Sequence, residues 1–293
     1  MNNIWKDSIK KLPEGWYFDP PMVKYLNVDP QSKQKQKAYI KGGGSRQRVR
    51  SKNPLQAGYY DVPYYRSIIK KLLSYLPDDP LFVDLGCGDG RGVEILLDSG
   101  VQRVIALDFN HSDLNLLFQE MEKEKQRCIL PVCASVTDPP FLPENADAVL
   151  MLEVACIFDN PLVAYQNCYR WLRPGGYALI TNVAIEAYYV HAILNQDWEQ
   201  VRSIVEKKTY LDKVGGQEVS VHLYDADRMR NDAINAGFKI IESEVVPAPC
   251  SLLLHALRKS NQLGEDKISL LETVDKSLIK LPRIYIDILK KEG

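Results

Sequence analysis

Leu81-Phe82-Val83-Asp84-Leu85-Gly86-Cys87-Gly88-Asp89-Gly90-Arg91-Gly92 is an apolar run that ends in a carboxylate and then in alternating glycines. Five largely apolar residues bounded by glycine predict a buried strand, and the glycine-rich residues after it predict a tight turn into a helix. Glycines at such a turn let the backbone bend sharply and approach a bound molecule with no Cβ in the way, and the next helix offers unpaired N–H groups. The dinucleotide fingerprint G-x-G-x-x-G has the same setting, but its third glycine would fall at Arg91. The glycines here are Gly86, Gly88 and Gly90, preceded by Asp84.

Outward from this turn, short apolar runs alternate with helical stretches. The runs are Leu81–Leu85, Val101–Leu107, Cys128–Cys133, Ala146–Leu152 and Tyr177–Asn182. That rhythm predicts βαβ units and an α/β fold, a mostly parallel sheet with helices on both faces. Val104-Ile105-Ala106-Leu107-Asp108 ends in a carboxylate about 20 residues beyond the glycines, the spacing at which an acidic side chain meets ribose hydroxyls.

The combination of Asp84, Gly86, Gly88 and Gly90 resembles the first motif, D-x-G-x-G-x-G, of the class I, Rossmann-like S-adenosylmethionine-dependent methyltransferases. The resemblance continues through Cys133–Phe141, Ala146–Leu150 and Leu172-Arg173-Pro174-Gly175-Gly176-Tyr177, in the family's order. It implies S-adenosylmethionine as cofactor, with Cys87 and the glycines against its methionine part, Asp108 on the ribose and Phe109 beside the adenine. Ser135 and Val136 fall in the next motif, where Ser135 stands at a position more often acidic, and Glu153 ends the fourth strand facing cofactor or acceptor. Asp138-Pro139-Pro140-Phe141 spells a catalytic signature of amino-nitrogen methyltransferases, but it precedes the fourth strand instead of following it, so a proline-rich turn is expected.

Around this core, residues 1–62 are read as an N-terminal arm and mobile lid, 63–183 as the cofactor-binding core, 184–224 as an insertion covering the substrate, 225–258 as the rest of the sheet and 259–293 as a helical extension. A helix is expected over Pro63–Leu76, starting at its proline, and another over Ala187–Lys207. A hairpin is expected around Gly215-Gly216, and strands at Lys239–Val246 and Leu252–Ala256. The last stretch, Asp266–Lys291, has apolar residues at helical intervals up to a break at Pro282.

Lys and Arg total 37 against 38 Asp and Glu, so no whole-protein field draws the chain to nucleic acid or an anionic membrane. Six scattered cysteines without C-x-x-C pairs suggest neither a zinc site nor a disulfide framework, and no metal is expected. Charges interrupt Met1–Asp7 before any span-length apolar run, so a cytoplasmic protein is expected. The oligomeric state has no sequence signature.

The expected reaction is methyl transfer to an oxygen or nitrogen of a small organic molecule. Tyr59, Tyr60, Tyr64, Tyr188 and Tyr189 are the aromatic candidates for holding it, and His191 and His222, in the insertion, are the candidate bases. The alternative is an RNA or protein methyltransferase using the basic loop 33–52, which carries Lys33, Lys35, Lys37, Lys41, Arg46, Arg48, Arg50 and Lys52. A third reading is a scaffold that binds cofactor without catalysis.

Overall fold

The computed structural model describes residues 12, 14–25, 41, 46–53, 56–136, 144–214, 217–247 and 281–293. Strands β3 (Leu81–Leu85), β4 (Arg103–Asp108), β5 (Ile129–Cys133), β6 (Ala146–Leu152) and β7 (Leu172–Val183) form the parallel centre of a nine-stranded sheet. Their side chains alternate between two cores. Val83, Leu85, Ile105 and Leu107 pack on one face, and Phe82, Val104 and Ala106 on the other. Helices cover both faces, which is why β3 is apolar nearly throughout: each buried Val, Leu or Phe side chain contributes about 1.5 to 3 kcal/mol.

The order across the sheet is β5-β4-β3-β6-β7, so the winding direction reverses between β3 and β6. In open α/β sheets the crevice for ligands opens outside the carboxyl ends of the strands at such a reversal. Helices α3 (Arg91–Asp98) and α4 (His111–Glu120) follow β3 and β4 there. The α4 entry is capped by Asn110, whose side chain accepts the Ser112 N–H at 3.1 Å. A short helix α5 (Lys123–Gln126) leads to β5, and α6 (Pro161–Trp171) crosses from β6 to β7 with Asn160 as its cap and Pro161 in its first turn.

The described residues of the arm pack against the core, with Met22 and Val23 buried. Strands β1 (Trp16–Asp19) and β2 (Met22–Tyr25) form an antiparallel hairpin, and β2 joins the sheet parallel to β5. Residues 46–53 include a short helix, α1 (Gln47–Arg50), with Arg48 buried; Lys33, Lys35 and Lys37 of the basic run lie outside the described residues. Helix α2 (Ala57–Leu73) begins before Pro63 instead of at it, so the proline sits inside the helix and Tyr59, Tyr60 and Tyr64 are helical. The loss of one N–H bond at Pro63 is offset by the burial of Tyr65, Ile68, Ile69 and Leu72 on one face.

After β7 the chain leaves the sheet and returns. Its exit and re-entry are pinned: Ala184 bridges Tyr224, with Ile185 N–H donating to the Tyr224 carbonyl at 2.8 Å and Tyr224 N–H to that of Val183 at 2.9 Å. Between them lie α7 (Ile185–Leu194), α8 (Trp198–Lys207) and the hairpin β8 (Thr209–Val214) and β9 (Gln217–His222). The single helix expected over Ala187–Lys207 is two, because the Asp197 side chain caps a new one through the Gln200 N–H at 3.1 Å.

Helix α9 (Ala226–Asn235), capped by Asp225, precedes β10 (Lys239–Pro247). The helical extension expected over 259–293 requires correction: Pro282–Lys290 is a strand, β11, inserted antiparallel between β7 and β10. Ile284, Ile286 and Ile288 point into one core at strand period, while Leu289 packs in the other. The expected strand Leu252–Ala256 and residues 259–280 lie outside the described residues, as does Asp138-Pro139-Pro140-Phe141.

Candidate cofactor and active site

The glycine turn sits at the reversal between β3 and β6, tied to the end of β4. Gly86 and Cys87 donate their N–H groups to the Leu107 carbonyl at 2.7 and 3.0 Å. Gly86, Gly88 and Gly90 have φ of 75°, 54° and 93°. At two of them a side chain also has no room: a Cβ on Gly86 would lie 2.5 Å from Val154 Cγ2, and one on Gly90 2.2 Å from Leu117 Cδ1. Burial raises the Cys87 thiol well above its ordinary pKa, so it packs as a neutral side chain.

Two carboxylates hold the turn. Asp84 is buried beneath it and accepts a hydrogen bond from the Val93 N–H at the start of α3; burial lifts its pKa to about 7. Its Oδ2 would lie 2.6 Å from a Cβ on Gly92, which explains the fourth glycine. Asp108 accepts the Gly88 N–H at 2.8 Å and the Asn110 N–H at 2.7 Å, one on each oxygen, and burial lifts it too to about 7. Each oxygen keeps acceptor capacity for a further donor.

At the end of β6, Glu153 has φ of 61°, costly for a residue with a side chain. The conformation is held by Thr181, whose carbonyl and hydroxyl oxygens each lie 3.0 Å from the Glu153 N–H. Glu153 Oε1 accepts the Tyr65 hydroxyl at 2.8 Å and the Arg91 guanidinium at 2.7 Å. Arg91 lies over the Tyr65 ring, 4.7 Å from its centroid, and 4.0 Å from Asp61, which also receives the Arg283 Nε at 3.0 Å. Thus α2, α3, β6 and β11 meet at one buried ionic cluster beside the turn.

The other expected cofactor residues line the β4 and β5 ends: Phe109 and Ser135 are half-buried, Val136 is buried, and Cys133 Sγ lies 3.8 Å from the Phe109 carbonyl. In the insertion, Tyr188 and Tyr210 meet edge to face at 4.9 Å. Tyr188 is held well above the usual phenol pKa by burial first and then by the Glu153 charge, and it packs on the core that includes Val154 and Cys156 just beyond β6. Tyr189 packs against the same core.

The remaining aromatic candidates lie on α2. Tyr64 packs against the core formed with α2, and Tyr59 meets Tyr60 edge to face at 5.3 Å. His191 is on α7, its ring centroid 6.4 Å from that of Tyr210, and Asn195 lies within hydrogen-bond distance of it on the same helix. His222 ends β9 with Nδ1 3.4 Å from Arg228. Sequence reasoning missed the roles of Tyr65, Arg91, Thr181 and Arg48. Tyr65 reads as part of an apolar helix stripe, and Arg48 as one cation in a solvated run.

Comparison with known proteins fits this architecture. A family model described as a methyltransferase domain matches residues 83–180, from β3 into β7. Residues 83–180 are thus similar to a methyltransferase domain, on a fold shared with S-adenosylmethionine-dependent methyltransferases. A tRNA N(3)-methylcytidine methyltransferase of Drosophila melanogaster, Mettl2, is 29% identical over 104 residues, 33% of this chain and 32% of that protein. The chain thus spans about a third of the length of the curated relative it matches. Among solved structures, a SAM-dependent methyltransferase from Methanosarcina mazei covers 76% of this chain and 97% of its own at TM-score 0.54 and 16% identity. A methyltransferase in complex with the Haloferax volcanii Trm112 activator covers 84% and 94% at TM-score 0.52 and 16% identity.

The cofactor of this domain family is S-adenosylmethionine, and the residues present fit it. Asp108 offers acceptors for ribose hydroxyls, Phe109 and Val136 offer apolar surface for a base, and the three left-handed glycines keep side chains off the turn. Among the described residues no cluster could hold a metal ion, and no helix is long and apolar enough to cross a membrane.

Proposed function

We propose that this protein transfers the methyl group of S-adenosylmethionine to an oxygen or nitrogen atom of a small organic molecule by in-line displacement. When bound, the cofactor supplies an electrophilic sulfonium methyl. The protein's part is to align an acceptor lone pair and exclude water. Asp84, Gly86, Cys87, Gly88 and Gly90 shape the cofactor turn, Asp108 accepts from the ribose, and Glu153 stands between cofactor and acceptor. Tyr188 and Tyr189 of the insertion supply the aromatic surface, and His191 and His222 serve as bases for acceptors that must lose a proton.

The observation that carries the small-molecule reading is the aromatic pair Tyr188 and Tyr210 of the insertion, edge to face at 4.9 Å and packed on the core that includes Val154 and Cys156 just beyond β6. An aromatic cover over the end of β6 suits a compact acceptor that is enclosed. The likeness to a tRNA methyltransferase supports a second reading, in which RNA is the acceptor. Incubation with radiolabelled S-adenosylmethionine and, separately, total tRNA or pools of small amines, phenols and carboxylic acids tests both. Label in the small-molecule pool is expected; label in tRNA alone overturns the preferred acceptor. Calorimetry with S-adenosylhomocysteine and NAD tests the cofactor, and binding of NAD alone would remove the methyltransferase reading.

A further inference from the structure

Among the described residues of the basic segment ahead of the core, Arg48 behaves unlike the other cations. Arg46, Arg50 and Lys52 are exposed, whereas Arg48 is 4% exposed and reaches the glycine turn. Its backbone N–H donates to Asp89 Oδ1 at 2.8 Å, and its Nε donates to the Asp89 carbonyl at 2.9 Å. The far end of the guanidinium pairs with Glu120 at the end of α4, with Glu94 of α3 3.9 Å away. Glu94 also pairs with Lys52 at 2.7 Å, and the Ser51 hydroxyl donates to the Arg48 carbonyl at 2.7 Å. The segment is therefore fastened at several points to the turn and to the two helices behind it.

Asp89 lies between Gly88 and Gly90, both in left-handed backbone, so the peptides on either side of it adjoin residues of wide conformational choice. A fixed donor on its carbonyl removes that choice. We infer that Arg48 is a positioning residue that locks the cofactor turn through Asp89, so that docking of residues 46–52 and cofactor binding reinforce one another. This rests on the assignment of the turn to the cofactor. A turn already held in one conformation loses less entropy when it receives a ligand, and linkage requires the ligand to tighten the docked segment by the same factor.

Calorimetry with S-adenosylhomocysteine on the full chain and on R48M and R48K tests it, alongside trypsin cleavage at Arg46, Arg50 and Lys52. In R48M the dissociation constant is expected to rise at least tenfold while kcat at saturating cofactor stays within about twofold. R48K keeps a charge for Glu120 but lacks the planar fork, and falls between. S-adenosylhomocysteine is expected to slow cleavage in the wild type and not in R48M. A folded R48M or R48K with wild-type affinity, or cleavage indifferent to ligand in the wild type, overturns the inference. Failure of the wild type to bind at all would instead sink the cofactor reading.

Discussion

The Tyr65 hydroxyl donates to Glu153 at 2.8 Å, joining helix α2 to the end of β6 across 88 residues of chain. Burial holds the phenol well above its ordinary pKa, with the Glu153 charge acting in the same direction, so it stays a donor throughout the working range. Y65F is expected to lower the unfolding free energy by about 1.5 to 3 kcal/mol, the range for a hydrogen bond to a charged group. Urea titration reads this directly. An unchanged midpoint would mean that Arg91 satisfies Glu153 alone.

In the proposed site Asp108 serves both the turn, through the Gly88 and Asn110 N–H groups, and the ribose. D108A is expected to weaken S-adenosylhomocysteine binding by about 1 to 3 kcal/mol through the lost acceptor. The structure adds a stability loss, because the Gly88 and Asn110 N–H groups lose their partner as well. Calorimetry on a folded D108A showing wild-type affinity would take the ribose away from this residue.

Buried Asp84 and Asp108 each titrate near 7 in the folded chain, against the ordinary 3.8. Between these values the folded state holds protons that the unfolded state has released, so stability is greatest below about pH 4 on their account and falls as pH rises toward 7. Denaturant titrations from pH 4.5 to 8 should show that decline, shallower in D108N. Affinity for S-adenosylhomocysteine should move the opposite way, rising through pH 7 as Asp108 becomes a charged acceptor. A flat stability profile contradicts the burial of the pair.

G90A combines left-handed backbone with a Cβ 2.2 Å from Leu117 Cδ1. Strain and overpacking each cost about 1 to 3 kcal/mol. The variant should melt several degrees lower and bind cofactor poorly. Wild-type melting, read by circular dichroism, would show that the turn can move away from Leu117.

Because Arg48 is engaged with Asp89 and Glu120, only Arg46 and Arg50 of the three arginines in this basic run are left exposed. For a small-molecule acceptor, R46Q/R50Q should leave turnover nearly independent of salt. For RNA, the logarithm of affinity would fall steeply with that of salt in the wild type and less steeply in the double variant. The first outcome is expected, and a steep slope flattened by the substitutions would overturn the acceptor class while leaving the methyl-transfer reaction in place.

What the sequence determined by itself is local: the apolar period of Leu81–Leu85, glycines where φ is positive, a carboxylate at the end of Val104–Asp108, and the alternation that makes a parallel sheet. Each is set by neighbours a few residues apart, so the core strands and the glycine turn were legible. Only tertiary structure decided the rest. Pro282–Lys290 carries apolar residues compatible with either period, and it is a strand because β7 and β10 leave a gap whose backbone groups need partners. Arg48 looks like a solvated cation until α3, α4 and the turn enclose it. The Tyr65, Arg91 and Glu153 cluster likewise draws on three distant segments, and buried charges of this kind are tolerated only where the fold brings their partners within hydrogen-bond reach.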